Sequence, residues 1–235
     1  MLKMDWQYPV FQRKTVTRPG TTKTEGTVAQ AVEFALPRSE AFLYLAGDDR
    51  RPLLVLRECK TCNGTDDALL SRAEDNSRTF LLARWFHCIK LPTHVLEENH
   101  PFHALFESEH PPHLFMARWD GSDPIPLRGD QSRTELWDSM HAMLGSAYLG
   151  DARAAVSEIE KIVSQYDVMD ARIALIEDRI DGVVEKEGPK SKKLKDLRKD
   201  LDQAHADLEK LQKREKLALD LGLKPEEARA SAAGR

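Results

Sequence analysis

The stretch "RPLLVLRECKTC", residues 51–62, runs from a short apolar segment straight into two cysteines two residues apart. "PLLVL" (52–56) has the length and composition of a short buried strand. Cys59 and Cys62 follow it at once, preceded by Glu58 and separated by Lys60 and Thr61. Such a pair has three readings. It is a redox couple, two ligands of a metal site, or two ordinary thiols at a helix start.

The flanks supply the surroundings. "SEAFLYLAGDD" (39–49) predicts a helix with Ser39 as N-cap. "GTDDALLSRAED" (64–75) predicts a second helix, and "RTFLLARWFHCI" (78–89) a strand. "PHLFMARW" (112–119) is a further strand, "DGSDP" a turn, and "IPLRG" (125–129) a short return strand. "SRTELWDSMHAMLGSAY" (132–148) is a closing helix, with Ser132 as cap and Glu135 three residues on. This order implies an α/β domain over 28–149 whose sheet has parallel and antiparallel parts and helices on both faces. Residues 1–27 form an extended arm that packs at its aromatic end (Trp6, Tyr8, Phe11), then a Thr/Lys/Gly linker.

Beyond 150 charge dominates. Apolar residues recur at 156, 159, 162, 166, 169, 173, 176, 180 and 183. They resume at Leu194, Leu197, Leu201, Ala204, Leu208 and Leu211. These alternating steps of three and four are a heptad seam in two arms. Arm 151–187 holds five basic against ten acidic residues, and arm 190–217 ten basic against six acidic. Opposite net charge favours pairing between the arms. Matching Ile180 to Leu194, Ile176 to Leu197 and Ile173 to Leu201 predicts an antiparallel coiled-coil hairpin over 150–221, turning at 186–190. Residues 222–235 read as a disordered tail.

The 235 residues carry a net charge of −4 and no apolar stretch near the ~20 residues that span a bilayer. Neither membrane nor nucleic acid is expected as a partner. The basic run "KSKKLKDLRK" (190–199) lacks interleaved aromatics and faces an acidic arm. The N-terminus lacks a signal-peptide pattern, so a cytoplasmic location is expected. There the three cysteines are thiols, redox groups or metal ligands, not a structural disulfide framework.

Residues 40–148 resemble the thioredoxin-like proteins, in particular those with an extra N-terminal helix leading into a "KPLLV"-type strand. "RPLLVLRECKTC" matches the strand and motif, "HPPHLFMARWDG" (110–121) the loop and strand bearing the family's cis-proline, and "PLRG" (126–129) the hairpin return. The resemblance implies a thioredoxin-like fold, followed here by the coiled-coil hairpin, which lies outside it. It implies a thiol–disulfide oxidoreductase without organic cofactor, with Cys59 attacking, Cys62 resolving and Pro112 as the cis-proline beside them. A thiol at a helix N-terminus is stabilised as thiolate, and Lys60 adds cationic help. The chain departs from the family at Glu58, where tryptophan is usual and whose charge opposes thiolate formation. Lys60-Thr61 replaces Gly-Pro, and Leu53 replaces a buried aspartate.

Further candidates lie downstream. Cys88 is a buried small hydrophobe or a third thiol near the pair. Six histidines crowd into 87–113, and Cys59, Cys62 and Cys88 with His87 would make a Cys₃His zinc site. His113, directly after Pro112, is the histidine expected at the motif. Two functions compete. One is an oxidoreductase acting on a protein disulfide, with the hairpin as targeting element. The other is a non-catalytic platform that binds protein partners through hairpin 150–221.

Overall fold

A computed structural model describes residues 3–10, 35–59, 69–71 and 75–225. The predicted helix over 64–75 falls mostly outside them, as do Lys60, Thr61, Cys62 and the linker after residue 10. The chain divides into two compact units, Met1–Ala147 and Tyr148–Arg235.

The first unit is built on a four-stranded sheet. Its elements are α1 (Arg38–Ala46), β1 (Leu53–Arg57), α2 (Ser77–Ala83), β2 (His87–Leu91), β3 (Leu114–Ala117), β4 (Ile125–Leu127) and α3 (Arg133–Ala147). The strand order is β2-β1-β3-β4. β1 runs parallel to β2 (Leu54 opposite Cys88) and antiparallel to β3 (Leu54 opposite Met116), and β4 returns antiparallel along β3. Every residue of β1, β2 and β3 is buried, as a sheet covered on both faces requires.

Alternation divides the strands between two cores. Leu53, Val55, Ile89, Leu91, Phe115 and Ala117 pack with Phe42 and Leu45 of α1 and with Phe102, Leu105 and Phe106. Leu54, Leu56, Leu114 and Met116 occupy the alternate positions and are fully buried. That face belongs to α3, which packs on β3, β4 and α2. The arm contributes at the edge. Gln7 donates to the Cys88 carbonyl and accepts from Lys90 N–H, both at 2.9 Å, in a parallel bridge to Ile89.

Two local expectations are corrected. Helix α1 starts one residue before Ser39; its cap position is Pro37, whose fixed φ suits a helix start, and no side chain caps it. Residues 77–83 are helical, so the predicted 78–89 strand is confined to 87–91. Leu81 and Leu82 bury one helical side, and a turn at Arg84–Trp85 redirects the chain. An apolar run of this length fits either element by pattern alone.

The second unit consists of α4 (Ala152–Glu187) and α5 (Lys193–Leu219), two long helices packed antiparallel. Tyr166 donates its hydroxyl to Glu215 at 2.8 Å, Arg172 lies 3.8 Å from Asp207, and Lys193 pairs with Glu187. Ile162, Ile176, Leu194, Ala204 and Leu211 are buried along the seam. Gly188, at φ +80°, ends α4 where the chain reverses. The first residues of the expected tail are ordered instead. Leu149 and Gly150 N–H donate to the carbonyls of Gly222 and Leu221, both at 2.9 Å, closing the base of the hairpin. No helix among the described residues is long and apolar enough to cross a membrane.

Candidate functional site at the carboxyl end of the central strand

β1 lies between a parallel and an antiparallel neighbour, so its carboxyl end is where the sheet changes sense. Ligand sites in open α/β sheets form at such ends. The ladder continues past Arg57. Arg57 N–H donates to His113 O at 2.8 Å, and Glu58 N–H donates to Leu91 O at 2.9 Å. Cys59 is the next residue. It is disulfide-bonded.

Alternation separates the charges around it. Glu58 turns to the β2 side, its carboxylate 3.9 Å from Lys90 Nζ. The acid expected to oppose a Cys59 thiolate therefore has its own cation. Arg57 falls on the opposite face, two residues before Cys59 in the chain. Its side chain is buried, with Nε donating to Pro112 O at 3.3 Å and Nη2 to Pro111 O at 3.2 Å. Burial depresses its pKa without endangering the charge.

The same guanidinium anchors the 110–113 segment beside the strand. His113 is half-buried there, and its pKa is lowered by burial first and by Arg57 second, both of which favour the neutral ring. A groove of about 980 Å³ opens against this segment, its walls including Arg57, His113, Pro111, Pro112 and Leu127. Pro112 lies just before β3, with its carbonyl on Arg57. No cis peptide bond occurs among the described residues, so the expected cis bond at Pro112 is overturned. The bond is trans, the cheaper isomer by about 0.5–1 kcal/mol, and both proline carbonyls accept from Arg57.

Cys88 and His87 are elsewhere. Because the strand begins only at His87, both stand at the amino end of β2, opposite Leu54 and Leu53. Cys59 lies five residues beyond Leu54, roughly 16 Å along the strand. Cys88 is therefore not a third thiol at the motif. It donates to Ala83 O at 3.5 Å, and burial pushes its pKa up to about 12. His87 is separated from Cys59 for the same reason, which breaks the expected zinc set of Cys59, Cys62, Cys88 and His87. Among the described residues no three His, Cys, Asp or Glu side chains form a metal-binding group.

Sequence reasoning passed over Arg57. The one available signal was a charged residue continuing an apolar strand by one position, where burial has to be matched by hydrogen bonds. Compared with protein-family models, curated proteins and solved structures, the chain matches none.

Proposed function

We propose that the first unit is a thioredoxin-like thiol–disulfide exchange module, with Cys59 attacking and Cys62 resolving. The observation that carries this reading is the place of Cys59, at the carboxyl end of the central strand of a sheet ordered β2-β1-β3-β4. That strand order, with a helix before β2 and another after β4, supports the thioredoxin-like assignment on topology. The trans bond at Pro112 withdraws the cis-proline from its support.

In the exchange, Cys59 thiolate attacks one sulfur of a substrate disulfide, and the other sulfur leaves as a thiolate that takes a proton from water. Cys62 thiolate then attacks Cys59, releasing the second substrate thiol. The protein ends as the Cys59–Cys62 disulfide and the substrate gains two electrons, so turnover requires an external dithiol. Arg57 is a positive charge two residues before Cys59 in the chain, and Lys90 compensates Glu58.

The test is trapping. Cys62→Ser is expected to accumulate a mixed disulfide with a model peptide disulfide, through Cys59, and Cys59→Ser to accumulate none. Absence of trapping by reduced Cys62→Ser across pH 6–9 leaves the second reading, a non-catalytic platform with the hairpin as docking element. Exposed Val163, Val168 and Leu175 on α4 favour that second reading.

A further inference from the structure

Arg57 is a buried cation whose bonds, among the described residues, go to two main-chain carbonyls and not to a carboxylate. Carbonyls satisfy donors without neutralising charge, and a buried ion lacking a counter-ion costs several kcal/mol. Two of the five guanidinium N–H groups are used, so a forked donor edge remains for a planar anion. Arg38 and Arg128 also line the groove, as do the exposed rim residues Glu107 and Glu109. Depth decides between these charges. The rim carboxylates are screened by water, whereas the field of Arg57 acts at the sheltered wall. Pro111, Pro112 and Pro126 offer no N–H groups, so the permanently charged donors on the lining are the arginines, beside the polar side chains of Ser108, His110 and His113. The volume, about 980 Å³, suits several side chains better than a lone ion.

We propose that this groove selects the substrate polypeptide of the exchange reaction by an aspartate or glutamate near the attacked disulfide, whose carboxylate docks on Arg57. The substrate's identity rests on the thiol-exchange reading; the docking chemistry is tested without it.

The experiment measures fluorescence polarisation of a labelled peptide whose central serine, replacing the cysteine, is flanked by glutamates, against its glutamine twin. The full chain is expected to bind the glutamate peptide about tenfold tighter at low salt, with the ratio shrinking as ionic strength rises. Arg57→Gln should remove the preference. If that variant does not fold, Arg57→Lys, which keeps the charge and loses the fork, is read instead and should reduce the ratio. Glu109→Gln should raise affinity for the acidic peptide.

Equal binding of the two peptides by the unmodified chain overturns the proposal. An acidic preference unchanged in the Arg57 variants does so as well. Displacement of the peptide by acetate at comparable concentration marks a free-anion site and also overturns it. Trapping by Cys62→Ser, run alongside, separates the two ideas. Acidic preference without trapping keeps the groove and removes the thiol chemistry, and trapping without preference does the reverse.

Discussion

Gly121 holds φ at +83°, and a Cβ added there would lie 2.2 Å from Cδ2 of Phe42. Phe42 is 1% exposed within the α1 core and cannot swing away. Gly121→Ala therefore combines left-handed strain with overpacking and should cost about 2–4 kcal/mol in urea unfolding. Gly47→Ala is the control. Its φ is +53° and ψ −126° with open space around the added methyl, so backbone strain alone is expected, about 1–2 kcal/mol. Similar losses at the two sites would show that contact with Phe42 is irrelevant. His87 makes a pH prediction. Among the described residues neither ring nitrogen is hydrogen-bonded, and burial lowers its pKa despite the opposing pull of Asp49, 3.6 Å away. A folded pKa below the unfolded ~6.5 means that the unfolded chain takes the proton first. Stability is then full above ~6.5 and is lost as pH falls below it. His113 is shifted the same way and contributes in the same window. The urea midpoint should fall between about pH 7.5 and 5.5, less steeply in His87→Gln and least in the double variant with His113→Gln. An unchanged slope in the double variant would exclude both histidines.

At the scale of elements, caps and periodicity explain which boundaries were readable. Ser132 Oγ accepts from Glu135 N–H at 3.2 Å, and Asp151 Oδ1 accepts from Arg153 N–H at 2.8 Å. Ser132→Ala and Asp151→Ala should each cost about 1 kcal/mol. Ser39→Ala should stay within about 0.5 kcal/mol, because α1 has no side-chain cap. A Ser39 loss equal to that at Ser132 would contradict the observed start. Strand 52–56 and the closing helix were legible because length and pattern agreed with one element. Residues 78–89 were not, because a buried helix turn and a buried strand both read as continuous apolar sequence. That one ambiguity also misplaced Cys88, since its distance from Cys59 depends on where β2 begins. The isomer at Pro112 was not legible, because the proline carbonyls are bonded by a side chain on another strand. Arg57 was missed for a related reason. A charge in a strand reads as surface until its partners are known.

Across the whole molecule, the two units have separate reasons to fold. The first has a core drawn from α1, β1, β2, β3 and the 102–106 segment, all before residue 120. The second has the seam between its helices. At ~1.5 Å per residue, the 36 residues of α4 extend about 54 Å. A helix this charged is marginal alone, so its stability comes from packing on α5. The cross-helix ion pairs add little, since exposed pairs contribute roughly 0–1 kcal/mol each. Burial of Ile162, Ile176, Leu194 and Leu211 carries the hairpin. The opposite net charges of the arms matter more for choosing the partner than for strength. Like arms from two chains would repel, whereas α4 and α5 of one chain attract. A fragment of residues 148–225 should therefore be a helical monomer whose melting temperature does not depend on concentration. Ile176→Asp should melt it, because a charge placed in the seam has no partner there. A fragment of residues 1–147 should keep a cooperative unfolding transition and near-ultraviolet circular dichroism. A concentration-dependent melt of the hairpin would show that its seam is shared between chains. A first unit with secondary structure but no near-ultraviolet signal would be a molten state, its core incomplete without residues 148–235.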